Sequence, residues 1–333
     1  IYIKLFRIHS LLMENKFDDK IVIIGTGPGA LSCAYELLKN GIKPIIIEGA
    51  SKPGGFMGNI CFENYKVDLG RKELYTRIPE VNNLWESILK EDYIEYDYRI
   101  GVLYNGKILE KHSSYLGVKR GMDNRLFFMC IINFLYCRWK FRNPQNHAEY
   151  IYNKRGKLFT KIFSQGFYER FTGRAWKRLP INDRRKLFSF SRSIRKFFFN
   201  HFDEKGIQEK WRHPAKGVGQ IVEILVREIE SMGGEIIYNT KVLDMVMRNN
   251  RIDELSLKVD EKKINLKPTI VVSSMGIEKL SEIILNVNTQ DNMIISAKRG
   301  TILVYLFIDD KSRFKNPWIN VSCPNLKIGR ITN

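Results

Sequence analysis

Between residues 20 and 48 the apolar positions change from a continuous run to a helical spacing and back again. Ile21 to Ile24 is an unbroken aliphatic run, the pattern of a short strand covered on both faces. A glycine-rich turn follows. From Ala30 to Asn40 the positions Leu31, Ala34, Tyr35, Leu37 and Leu38 share one helical face, and Asn40-Gly41 ends the helix. Pro44 to Ile47 then reads as a second buried strand that stops at Glu48. Two apolar strands joined by a helix predict a parallel β-α-β unit and hence a doubly wound sheet.

The pattern changes near residue 80. Val81 to Leu89 predicts a helix, and Arg99 to Leu109 a hairpin turning at Asn105-Gly106. Residues 115–205 mix aromatic and basic residues and read as mostly helical. Within them Leu126 to Cys137 is apolar except for Asn133, too short to span a bilayer and suited to a buried helix. Contact with a membrane surface is its alternative reading, because Arg125, Arg138, Lys140 and Arg142 stand beside it. After residue 214 the earlier pattern returns. Ile221, Ile224, Leu225 and Ile229 have helical spacing, Gly233-Gly234 ends that helix, and Glu235 to Tyr238 begins a strand. Asp244 to Met247 and Glu254 to Val259 predict a hairpin turning near Asn249-Asn250, and Thr269 to Ser273 and Thr301 to Ile308 predict further strands.

The fold class expected is therefore α/β, a Rossmann-like domain with an inserted mixed α+β substrate domain. The first domain is placed at 13–80 and 208–280. The inserted domain is placed at 81–207, mostly helical, with strands at 281–333 and an incomplete C-terminus.

Composition narrows the partners. The chain of 333 residues carries 55 Lys and Arg against 36 Asp and Glu, a formal charge of +19. Such an excess attracts phosphates, nucleotide-sugars or acidic lipids without choosing among them. No zinc-finger spacing or RNA-binding signature accompanies it, so no nucleic-acid partner is expected. Cys33, Cys61, Cys130, Cys137 and Cys323 are scattered and odd in number, which predicts free thiols in a reducing, cytoplasmic setting. With the five histidines far apart, no metal site is expected. Ile1 to Leu12 fails as a signal peptide because Lys4, Arg7 and His9 interrupt it, and Met13 reads as an ordinary start. No stretch reaches about 18 consecutive apolar residues, so no spanning helix is predicted.

The chemistry is concentrated in Gly25-Thr26-Gly27-Pro28-Gly29-Ala30. Gly25 permits the tight turn that leaves the strand, and Gly27 lets backbone approach a pyrophosphate without a Cβ in the way. Ala30 keeps the helix close to the sheet. The helix N-terminus offers free N–H groups and a positive dipole end to phosphates. A lone match of this kind is weak, but here it follows a strand, opens a helix and is succeeded by an acid at the end of the next strand. Glu48 suits a ribose without a 2′-phosphate, which disfavours NADP. Lys52-Pro53-Gly54-Gly55 adds a cation and a second flexible backbone stretch, although an ordinary Pro-Gly turn explains the same residues.

These segments, in this order, resemble the FAD-binding start of the flavin amine oxidase and protoporphyrinogen oxidase superfamily, whose general layout UDP-galactopyranose mutases share. Val67-Asp68-Leu69-Gly70 is similar to that family's Asp-x-Gly stretch near the flavin ring. Pro214-Ala-Lys-Gly217-Val-Gly219, Gly233-Gly234 and Asn239-Thr-Lys-Val242 resemble its second FAD segment, in which Val242 would meet the adenine through its backbone. Val271 to Met275, with Ser274, resembles the strand and turn that follow. The resemblance implies FAD as cofactor and hydride transfer from an organic substrate to flavin N5. A mutase-like activity on a nucleotide-sugar and a non-catalytic flavin-binding protein are the alternatives.

Three departures stand out. Phe56 follows the glycine pair where many members have Arg, and Arg71-Lys72 follows Asp-x-Gly. The chain also reaches Gly329 to Asn333 without the family's third glycine-rich FAD segment, which reads as truncation. Catalytic residues are not assigned. Lys72, Tyr75, Arg77, Tyr168, Arg170 and Trp176 are candidates to line a substrate site, though Gly166 to Trp176 reads more readily as a capped amphipathic helix.

Overall fold

A computed structural model describes residues 21–70, 72–74, 76, 78–97, 100–110, 118–119, 121–181, 210–285, 300–309, 314–323 and 325–332. Arg71, Tyr75, Arg77, the Met13 start with residues 1–12, and 182–205 of the expected helical stretch lie outside the described residues. The described chain forms two compact units. One comprises residues to Glu95 with Arg212–Ala297, and the other Tyr96–Trp211 with Lys298–Asn333.

The chain begins with β1 (Ile21–Ile24), α1 (Pro28–Lys39) and β2 (Ile45–Ile47), as the apolar pattern predicts. Two strands that the pattern did not reveal follow as a hairpin, β3 (Asn59–Phe62) and β4 (Tyr65–Asp68). Next come α2 (Pro79–Leu89) and β5 (Tyr93–Asp97), on which the chain enters the second unit. That unit contains β6 (Gly101–Tyr104), β7 (Lys107–Glu110), α3 (Asn124–Lys140), α4 (His147–Arg155), α5 (Lys157–Thr160) and α6 (Gly166–Thr172). The return runs through β8 (Lys210–Pro214), α7 (Gly219–Ser231), β9 (Ile236–Ile237), β10 (Thr240–Arg248), β11 (Arg251–Val259), β12 (Lys262–Leu266), β13 (Ile270–Ser273) and α8 (Ile277–Leu285). Finally β14 (Trp318–Val321) and β15 (Arg330–Thr332) complete the second unit.

In the first unit four parallel strands lie in the order β13-β1-β2-β9. Alternation along the strands divides the core in two. Val22, Ile24, Ile45 and Ile47 pack on Met245, Leu255 and Leu257 of the antiparallel β10-β11-β12 sheet and on Ile283 of α8. Ile23 and Ile46 face the other way, onto Leu31 and Ala34 of α1 and Ile221, Leu225 and Ile229 of α7. Both faces of the sheet are covered, which is why its strands read as unbroken aliphatic runs. Asn249 and Asn250 both take positive φ, 49° and 59°, and turn β10 into β11 as a tight hairpin requires.

The units divide at 95/96, 211/212 and 297/298, whereas the sequence reading placed the boundaries at 80/81, 207/208 and 280/281. The first difference comes from α2. Its Ile88 and Leu89 are buried in the same cluster as residues of α1 and α7, so it belongs to the first unit.

The second unit has its own core. Val102, Leu109, Phe127, Phe134, Phe159 and Phe163 are buried together. The β6-β7 hairpin turns at Asn105 and Gly106, both at positive φ, where the sequence predicts it. Asn133 interrupts the apolar α3 for a reason: its Oδ1 accepts the Leu158 N–H of α5 at 2.7 Å. Asn153 of α4 donates through Nδ2 to the Arg138 and Phe141 carbonyls, at 3.2 and 2.9 Å, and satisfies the C-terminus of α3. Burial pushes the Cys130 thiol up to about 11, so this cysteine is an inert core group.

The expected strand at Thr301 to Ile308 is not formed. The segment has no regular secondary structure, and Ile302 is 92% exposed and Leu306 77%. A β-branched run becomes a strand only when a ladder of backbone groups receives it. The place beside β6 is taken by β14, which pairs with it in parallel from Ile319↔Gly101 to Val321↔Leu103. Residues 330–332, read from the sequence as part of a truncated end, pair with β14 as β15.

His147 opens α4 with its ring 5.3 Å from that of Trp176. Burial, and secondarily the charge of Lys154, hold its pKa below the ordinary 6.5. Above 6.5 the imidazole is neutral in both folded and unfolded chains and costs nothing. As pH falls, the unfolded chain takes the proton first, so stability drops from about 6.5 down through the folded-state value. Urea midpoints measured against pH should show this acid-side loss, and His147→Gln should flatten it.

Candidate functional site

The carboxyl ends of β1 and β2, the start of α1, the start of β10 and the end of β13 surround one cleft of about 580 Å³. This is the crevice at the strand ends of an open parallel sheet, where such folds bind ligands. Five of the residues that line it are glycines, Gly25, Gly27, Gly29, Gly49 and Gly55.

Gly25 leaves β1 with φ +96°, and its N–H donates to the Ile47 carbonyl at 2.7 Å. A Cβ there would lie 2.3 Å from Ser274 Oγ, which itself donates to the Ile24 carbonyl at 3.1 Å. Gly27 is extended, with φ −63° and ψ 165°, and precedes α1; Pro28 opens the helix, where its missing N–H costs no hydrogen bond. Gly29 also lines the cleft, while Ala30 is buried beneath it among Leu31, Ala34 and Ile46. The turn therefore presents the helix N-terminus, with its positive dipole end, to the cleft.

Glu48 closes the other side. Its Oε2 accepts from the Thr26 N–H at 2.9 Å and from the Thr26 hydroxyl, and its Oε1 accepts from the Ala50 N–H at 2.8 Å. Each carboxylate oxygen has two lone pairs, so Oε2 is fully used and one acceptor site remains on Oε1 for a ribose hydroxyl. Thr26, fully buried, is the residue that sequence reasoning missed. It also accepts the Gly54 N–H through both its carbonyl, at 3.0 Å, and its hydroxyl, at 3.2 Å. One side chain thus ties the glycine turn, the acid and the second glycine pair together. The unspecified position of a GxGxxA motif gave no signal for this role.

Gly25, Gly27, Pro28, Gly29, Glu48, Gly55, Val242 and Ser274 all line the cleft. Phe56, Lys241 and Lys279 line it as well. Neither lysine was singled out from the sequence, although Lys241 adjoins Val242. Lys52 is exposed and lies outside the lining. Gly54, at φ +106°, sits just behind it, where a Cβ would come within 3.0 Å of Val222 in α7.

Asp68 and Gly70 lie elsewhere in the same unit. Asp68 Oδ1 accepts the Val218 N–H at 2.9 Å, and Asn59 Oδ1 accepts the Gly219 N–H at 2.9 Å. The β3-β4 hairpin therefore caps α7 from outside, a favourable place for a carboxylate. Gly217 and Gly219 are needed because a Cβ on either would run into Asp68 or Asn59, at 2.7 and 2.3 Å. Gly70 takes φ +78°. Lys72 donates to the Leu69 and Gly70 carbonyls at 2.6 and 3.2 Å, and burial lowers its pKa despite the nearby Asp68.

Tyr168, Arg170 and Trp176 belong to the second unit. Trp176 is buried, its N–H accepted by Glu169 at 3.0 Å, and Arg170 donates to the Val321 carbonyl. Tyr168 is partly exposed beside Trp176.

A parallel sheet flanked by helices on one face and an antiparallel sheet on the other, with a glycine turn and an acid at its strand ends, defines a Rossmann-like fold. Residues 23–88 match the family described as NAD(P)-binding Rossmann-like domain. The fold is also that of two solved structures. Reduced UDP-galactopyranose mutase aligns with a TM-score of 0.63 at 16% identity, over 82% of this chain and 59% of that one. A putative protoporphyrinogen oxidase from Exiguobacterium aligns with a TM-score of 0.60 at 14% identity, over 95% and 73%. At these identities the likeness is one of fold. Among curated proteins, thiamine thiazole synthase of Thermotoga maritima is 34% identical over 97 residues, 28% of this chain and 37% of that protein. Thiamine thiazole synthase 4 of Physcomitrium patens is 32% identical over 102 residues, 30% and 28% respectively. The chain thus spans only 28% to 37% of the length of these curated relatives.

Proposed function

We propose that this chain binds FAD and serves an FAD-dependent oxidoreductase of the amine-oxidase type, acting on a small organic molecule. The observation that carries this reading is the single cleft into which Gly25, Gly27, Glu48, Val242 and Ser274 converge from four separate parts of the chain. The residues present fit the AMP and pyrophosphate portion of the cofactor. Gly25 and Gly27 leave room for phosphate oxygens, the start of α1 supplies positive potential, and Glu48 can accept from a ribose hydroxyl through Oε1. Val242 supports FAD through its place in the stretch that resembles the second FAD segment, and Ser274 through its place in the strand and turn that follow. Bound flavin would supply a hydride acceptor at N5. The chain's own part is to hold the nucleotide, orient it against the sheet and keep the carboxylate of Glu48 anchored through Thr26 and Ala50.

The test is the visible spectrum of the purified protein incubated with FAD. A yellow protein that amines or other reduced organic substrates bleach anaerobically supports the proposal; one that takes up no flavin ends it. Turnover of a UDP-sugar only after dithionite reduction would assign the mutase-like alternative. Flavin that stays bound while no substrate reacts would assign a binding role without catalysis. Removing the acid should also matter: Glu48→Ala is expected to weaken FAD and ADP binding about tenfold to a hundredfold, the loss of charge-assisted hydrogen bonds, by titration calorimetry.

A further inference from the structure

We propose that the outward face of α3 docks the protein on an anionic lipid surface. The helix is apolar on both sides. Phe127, Cys130, Phe134 and Cys137 are buried in the second unit. Phe128, Ile132, Leu135 and Trp139, spaced by four, three and four residues, make a separate stripe that is 62%, 67%, 53% and 78% exposed. A helix that shows apolar side chains all round is either buried or lies against something apolar. Its 17 residues are too few to cross a bilayer, which takes about 20, and among the described residues no helix is long and apolar enough to do so. Lying in the interface, with only the stripe inserted, is the arrangement such a helix can adopt.

Charge selects the partner. Between residues 121 and 180 the sequence has twelve Lys and Arg against three acids. All three acids are already engaged within the unit. Asp123 caps α3, accepting from the Arg125 and Leu126 N–H groups at 3.1 and 3.4 Å. Glu149 accepts the Gln145 N–H at 2.8 Å, and Glu169 the Trp176 N–H at 3.0 Å. Arg125 near the start of the stripe and Lys140 and Arg142 at its end are exposed. Their stems can lie along the apolar side chains while their charges reach lipid phosphates. Tyr136, half-exposed beside the stripe, and Trp139 at its end suit the level of the headgroups. A protein partner would need complementary acids and a shaped surface; an anionic bilayer needs only the stripe and the cations.

The experiment is co-sedimentation of the full chain with vesicles of phosphatidylserine and phosphatidylcholine in equal parts, and with phosphatidylcholine alone. Binding to the mixed vesicles, weakened by salt and absent from the neutral ones, is expected. The paired substitutions Ile132→Gln and Trp139→Gln should lower the bound fraction about tenfold or more. Because both side chains are exposed, the circular dichroism spectrum should be unchanged. Trp139 emission should shift to the blue on binding, and Trp139→Phe should remove that shift. Two results would overturn the proposal. One is equal binding by wild type and the paired variant. The other is no vesicle binding together with a dimer that the paired variant dissociates, which would give the face to a second copy of the chain.

Discussion

Gly25→Ala is expected to weaken FAD and ADP binding about a hundredfold or more while leaving most of the fold in place. Two physical effects act together. Gly25 sits at φ +96°, where an L side chain is strained by about 1–2 kcal/mol. The new Cβ would stand 2.3 Å from Ser274 Oγ, forcing the serine from its bond to the Ile24 carbonyl or moving the turn. Either movement shifts the N–H groups at the start of α1 against the cleft. The double variant Gly25→Ala with Ser274→Ala separates the effects, since it removes the collision and keeps the strained φ. Calorimetric titration with ADP should find the double variant still far weaker than Ser274→Ala alone. Recovery to the level of Ser274→Ala would show that the collision, and not the turn's conformation, sets the affinity.

Phe134→Ala should destabilise the protein by about 3–5 kcal/mol, the cost of a large cavity in a core that cannot close over it. Phe134 is 2% exposed and packs among Phe127, Phe159 and Phe163. Collapse is blocked by backbone, because Gly156, at φ +76°, already brings its Cα so close that a Cβ would lie 3.0 to 3.2 Å from Phe134. Its helix is further tied by Asn133 to Leu158 and by Asn153 to Arg138 and Phe141. The urea midpoint measures the loss. A change of less than about 1 kcal/mol would mean that α3 can move inward and that the cluster is looser than its burial indicates.

Much of the first unit was legible because its signals are local. Unbroken aliphatic runs marked β1, β2 and β13, helical spacing marked α1, α2 and α7, and paired asparagines marked the β10-β11 turn. The second unit was harder to read. The β-branched run at 301–308 looked like a strand, yet β14, unremarked in the sequence, took the place next to β6. The apolar pattern of α3 also left two readings open. Periodicity shows that a helix has two apolar faces but not which one the rest of the chain covers, and the packing of Phe127, Cys130, Phe134 and Cys137 supplied that answer.

By itself the sequence determined the β-α-β unit, the glycine turn, the acid at its far end and the strong positive charge, because each depends on residues near one another in the chain. Only the tertiary structure decided that Thr26 joins Glu48 to Gly54, that Asp68 and Asn59 cap α7, and that Val242 and Ser274 share a cleft with Gly25. It also decided which face of α3 stays exposed. The physical reason is the same throughout. Backbone conformation and helical or strand periodicity follow from short-range sterics and burial pattern, whereas a hydrogen bond between residues 22 or 150 positions apart exists only after the chain has packed.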